Sequence, residues 1–124
     1  MDAVHEQFGR DFKKHRIAHG KTLRAFCREH GLDHGNLSKI ERGVLPPPTG
    51  ERLAEYLAYV GVEQGTDEWY RLCDLAAVCA GRIPDHVMSD EALVAKLPAV
   101  FKTLGRRRPT EHELDKLIDL IREA

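Results

Sequence analysis

The chain has 124 residues, 42% of them hydrophobic and 31% charged, with a formal net charge of −1. This is the composition of an ordinary soluble protein, long enough for one compact domain or for a small domain with an extension. No apolar run is long enough to span a membrane, and the N-terminus MDAVHEQFGRDFKKHR is too charged for a signal peptide. Cys27, Cys73 and Cys79 are odd in number and lack Cys-x-x-Cys spacing, which argues against a secreted disulfide scaffold and for a reducing cytoplasm.

The first helix is expected from about Val4 to His19, with Phe8 and Phe12 on its buried face and Gly20 at its end. The stretch Thr22–Gly43, TLRAFCREHGLDHGNLSKIERG, then reads as helix, tight turn, helix, stop. Leu23, Phe26 and Cys27 give one apolar face at helical spacing. Gly31 suits the left-handed C-cap of that helix, and Leu32 follows as an apolar plug. Asp33 is a good N-cap for the next helix, which turns Leu37 and Ile40 inward and His34, Asn36, Lys39 and Arg42 outward. Gly43 closes it. Val44 to Pro48 is a stiff, extended connector, because its successive prolines favour the polyproline conformation and bar the helix from continuing. Two short helices joined by a glycine turn form a helix-turn-helix, whose second helix enters the DNA major groove.

Thr49 is expected to cap a fourth helix with the inward stripe Leu53, Tyr56, Leu57 and Val60, closed by Gly61. Thr66, Asp67 and Glu68 open a fifth, with Trp69, Leu72, Cys73, Ala76 and Cys79/Ala80 as its apolar face and Gly81 at its end. Ile83-Pro84 begins a connector. Ser89-Asp90-Glu91 starts further helix; Leu93, Leu97, Val100, Phe101 and Leu104 keep helical phase across Pro98, as one kinked helix or two short ones. Thr110-Glu111-His112-Glu113 is a capping box before the stripe Leu114, Leu117, Ile118 and Ile121. With no strand alternation and no internal repeat, the chain reads as all-α.

Charge is unevenly spread. From Phe8 to Gly43 nine Lys/Arg face four Asp/Glu, a local +5; from Val44 to Phe101 four face nine, a local −5. The first region suits phosphate and the second does not.

The Thr22–Gly43 stretch resembles the helix-turn-helix of the phage-repressor and Cro-like (XRE) family. That family reads T-Q-x-x-L-A-x-x-x-G-[VI]-S-x-x-x-[IL]-S-x-I-E-x-G. The chain matches at Thr22, Gly31, Leu32, Leu37, Ser38, Ile40, Glu41 and Gly43. Phe26, Cys27 and Asp33 replace Leu, Ala and Ser while keeping the roles of core, small residue and cap. Leu23 replaces a Gln that touches phosphate. With Phe8 to Val60 included, the resemblance covers somewhat under half of the chain. It implies a five-helix repressor-like DNA-binding domain over residues 1–81, followed by a helical extension over 82–124. It also implies an Arg16–Glu41 pair across the first and third helices.

The function expected from motif and resemblance is sequence-specific binding of double-stranded DNA by a transcriptional regulator, a repressor acting as a homodimer. Asn36 suits adenine, Lys39 guanine or phosphate, and His34 a base edge or backbone. Gly35 permits close approach. Arg42, Arg24 and Thr22, with the free N–H groups that begin the second helix, suit phosphate, and Lys13, Lys14, Lys21 and Arg28 are further candidates. The stripe Leu114, Leu117, Ile118 and Ile121 is a candidate dimer or partner interface. The alternative is an antitoxin-like or adaptor protein whose C-terminal helices grip a toxin or peptidase, with DNA binding autoregulatory or lost. The Arg106-Arg107-Arg108 run is a solvated linker or a site for phosphate or an acidic partner.

No metal, cofactor or enzymatic activity is expected. His15/His19 and His30/His34 have i, i+4 spacing, but the second pair straddles Gly31 and no four-ligand set completes either. The cysteines fall on core faces, and no glycine-rich phosphate loop is present.

Overall fold

The computed structural model describes residues 2–106 and 108–123, and every element among them is helical. The helices are α1 (Asp2–Ala18), α2 (Leu23–His30), α3 (His34–Glu41), α4 (Gly50–Tyr59), α5 (Asp67–Cys79), α6 (Asp85–Met88), α7 (Glu91–Arg106) and α8 (Glu111–Glu123). The chain divides into two compact units, and the break falls between Pro84 and Asp85.

The core of the first unit is supplied by the apolar stripes. Phe8 and Phe12 from α1, Phe26 from α2, Leu37 from α3, Leu57 and Val60 at α4, and Leu72 from α5 are all almost completely buried. Each such side chain contributes roughly 1.5–3 kcal/mol by leaving water. Phe12 is the hub: the edge of Phe26 meets its ring at 6.1 Å, and Tyr56 lies at 6.0 Å. α1 packs against both α3 and α5.

Side-chain caps fix where several helices begin. Thr22 Oγ1 accepts from the Ala25 N–H at 3.1 Å, Asp33 Oδ1 from Asn36 N–H at 2.8 Å, and Thr66 Oγ1 from Trp69 N–H at 3.2 Å. Thr49 departs from expectation. It occupies the N-cap position of α4 with an extended backbone, but its hydroxyl caps nothing. The next residue, Gly50, has φ 60°, so the first turn does not enter in the direction a capping hydroxyl needs. Asp33→Ala should therefore cost the first unit about 1 kcal/mol in urea denaturation, and Thr49→Ala less than about half of that.

In the second unit Asp90 Oδ1 accepts from the N–H groups of Ala92 and Leu93 to start α7. Thr110 and Glu113 satisfy each other's backbone N–H groups, both at 3.1 Å, so the capping box opens α8. α7 continues through Pro98 as one helix. The short α6 lies where the sequence pattern predicts only a connector. No described residue of this unit is buried.

Candidate nucleic-acid interface

Three residues join α2 to α3. Gly31 adopts φ 67°, ψ 34°, the left-handed conformation that lets Leu32 N–H reach back to Cys27 O at 2.9 Å. Leu32 packs against the core, and Asp33 caps α3. A glycine here is required by backbone geometry, since most side chains resist positive φ. At the far end Gly43 has φ 77° and donates to Ile40 O, so α3 stops after Glu41 and Arg42.

α3 is sharply two-sided. Leu37, Ile40 and Glu41 are buried, while His34, Gly35, Asn36, Lys39 and Arg42 are exposed. At 100° per residue, Gly35, Lys39 and Arg42 lie on the outer face and Asn36 beside it. Thr22 and Arg24, at the start of α2, are also exposed. Leu23 is half-buried and packs against the core, so it offers no polar group to an anion.

One buried ion pair holds α3 in place. Arg16 Nε donates to Glu41 Oε2 at 2.7 Å, and Nη2 donates to Oε1 at 2.8 Å. Nη1 donates to the Lys21 carbonyl at 2.8 Å. One guanidinium therefore joins α1, the α1–α2 turn and the end of α3. Its hydrogen bonds to Glu41 raise the Arg16 pKa above the usual guanidinium value, against the opposing effect of burial.

The acids of the Phe8–Gly43 stretch are all engaged. Glu41 holds Arg16, Glu29 holds Lys21, Asp11 accepts from Arg71 of α5, and Asp33 caps α3. The hydrogen bond from Lys21 draws the exposed Glu29 carboxyl below its usual pKa. Of the nine cations counted in the sequence, two are thus paired. The remaining seven, which include Arg24, Arg28, Lys39 and Arg42, are exposed and belong to no ion pair among the described residues. Lys21, one of the residues suited to phosphate by sequence, is occupied by Glu29.

Several interactions have weak sequence signals. Gly9 lies inside α1, where a glycine weakens a helix; there it meets the carbonyls of Ile40 and Glu41. Asp11 is an acid beside the buried Phe12, and its partner Arg71 is sixty positions away. His15 lies 3.3 Å from Glu68, which also approaches Arg71. His30 stacks on Tyr59 of α4 at 4.0 Å and 14° rather than facing His34. Cys27 is buried, and burial pushes its thiol pKa up. Among the described residues, no three His, Cys, Asp or Glu side chains gather as metal ligands.

Comparison with known protein families, with curated proteins and with solved structures found no match. No helix among the described residues is long and apolar enough to cross a membrane. In the second unit Arg106, Arg108, Leu114, Leu117, Ile118 and Ile121 lie at or near the surface, and Arg107 lies outside the described residues.

Proposed function

We propose that the chain is a sequence-specific DNA-binding regulator of transcription, a dimeric repressor of the helix-turn-helix type. The observation that carries the reading is the outer face of α3. It presents Gly35, Asn36, Lys39 and Arg42 to solvent, amid cations that the chain's own acids leave uncompensated. α3 lies in the major groove. There Asn36 reads adenine, Lys39 reaches guanine O6/N7, and His34 meets a neighbouring edge or the backbone. Gly35 lets the helix approach closely. Arg42, Arg24 and the free N–H groups beside Thr22 take phosphates. Because Leu23 packs inward, the helix N-terminus supplies by backbone what a side-chain amide would otherwise add. Occupation of a promoter then excludes polymerase.

Selection of duplexes from random sequence by the purified full-length protein tests this. A defined half-site should emerge. Replacing both Asn36 and Lys39 by Ala should remove about 1–3 kcal/mol of base discrimination for each bidentate pairing that the change abolishes, with the thermal transition unchanged. Arg24→Ala should keep the selected sequence and lower the salt slope of log affinity by about 0.9, one phosphate neutralised fewer. Failure to enrich any sequence at low salt would overturn the reading.

A further inference from the structure

One cation at the candidate interface is held back. Lys21 directly precedes Thr22, the N-cap of α2, and its Nζ pairs with Glu29 in the last turn of that helix. At 1.5 Å per residue Glu29 stands about 10 Å along α2 from Thr22, so the ammonium is drawn away from the helix start. The backbone of Lys21 does not follow it. The Lys21 carbonyl accepts from Arg16 Nη1 at 2.8 Å, and that guanidinium is bound twice to the buried Glu41. The turn before α2 is therefore fixed, and only the flexible four-carbon side chain can change partner.

Glu29 has no local reason to stand where it does. A carboxylate in the last turn of a helix meets the negative end of the helix dipole. Its neighbours Arg28 and His30 are of the types that suit that position. What Glu29 engages is Lys21, whose hydrogen bond draws the carboxyl below its usual pKa and keeps it charged at neutral pH. The pair is also easily exchanged. Its side chains are 42% and 48% exposed, and ion pairs in contact with water are weak. A DNA phosphate offers the ammonium a charge-assisted bond and also releases a condensed counterion, which an internal carboxylate does not.

We propose that Glu29 withholds Lys21 in the free protein and yields it to a phosphate when duplex DNA seats on the start of α2. Lys21 is then a backbone contact made only in the complex. Glu29 is a built-in competitor for phosphate and keeps affinity below what the cations alone would give. The exchange rests on the DNA-binding reading; the ion pair itself does not.

The full-length protein and the duplex it selects from random sequence give the test. Lys21→Ala should keep the selected sequence and lower the salt slope of log affinity by about 0.9. Glu29→Gln should tighten binding about threefold at low salt, because no pair then has to break. In the Lys21→Ala background the same change should gain no more than about 1.5-fold, since only repulsion between Glu29 and phosphate is removed. Both side chains lie at the surface, so the Trp69 unfolding transition should stay in place in each variant. Carbon NMR of the Glu29 carboxyl reads the exchange directly. Its titration should move to higher pH in Lys21→Ala, and also in wild type when the duplex is added. A Lys21→Ala slope equal to that of wild type would overturn the inference. So would equal gains from Glu29→Gln in the two backgrounds, or a Glu29 titration indifferent to Lys21. These results from a protein that still selects a duplex would remove the exchange alone. A wild type that selects no duplex would overturn the DNA-binding reading and the exchange with it.

Discussion

Glu41→Ala is expected to destabilise the first unit by about 3–5 kcal/mol. Both partners of the Arg16–Glu41 pair are almost fully buried, with side-chain exposures of 6% and 4%. Truncating Glu41 leaves a guanidinium in the protein interior with only the Lys21 carbonyl bond intact. The magnitude reflects that stranded charge rather than the worth of the pair. Replacing both residues together, Arg16→Leu with Glu41→Leu, should therefore cost far less, within about 2 kcal/mol of wild type. Urea unfolding followed through Trp69, the chain's one tryptophan, reads the first unit directly. Because the folded-state pKa of Arg16 is raised, its stabilisation is complete below the ordinary guanidinium pKa and lost only as pH climbs past the folded value. The difference between the single and double variants should thus hold across neutral pH. A double variant as unstable as Glu41→Ala would show that the pair contributes net stability rather than orientation.

The pair also marks how far the sequence could be read. Its two members lie 25 positions apart, and the amino-acid pattern alone gives no reason to join them; resemblance to a family's motif supplied the link. Local features were far more legible. The spacing of Leu53, Tyr56, Leu57 and Val60 required one buried stripe, and all four are buried. Thr110 and Glu113 announced a cap that needs only each other. The inward and outward sides of α3 follow from the same period of 3.6 residues. What depends on a distant element was not legible: Asp11 with Arg71, His30 with Tyr59, and the tight seating of Gly9. Pro98 lay between these limits. Apolar phase ran across it, whereas its missing N–H argued for a break, and the helix continues. Thr49 had the right residue type for a cap but lacked the backbone approach, which Gly50 redirects.

Gly9→Ala shows how strongly that distant seating acts on the candidate interface. In an exposed helix the change would add up to about 1 kcal/mol, since alanine is the better helix former. Here a Cβ would lie 2.3 Å from Ile40 O, 2.5 Å from Glu41 O and 2.7 Å from the Glu41 carbonyl carbon. All three are backbone atoms, so no rotamer change relieves the clash. α3 must move away from α1, and overpacking of this kind costs about 1–3 kcal/mol or more. The clash outweighs the propensity gain, and a net loss of roughly 2 kcal/mol is expected from urea unfolding followed at Trp69. Gly105→Ala is the control. It lies in α7 with nothing within 4 Å of its added Cβ, and should leave the Trp69 transition unchanged while raising helicity slightly. The displaced carbonyls belong to the end of α3, including the residue that holds Arg16. The outer face of α3 should therefore be presented at an altered angle, and the selected duplex should bind more weakly even where the variant remains folded. A Gly9→Ala protein as stable as wild type, with undiminished affinity, would rule out the close approach of α1 and α3. An affinity loss with stability retained would instead make Gly9 a determinant of how α3 meets its ligand.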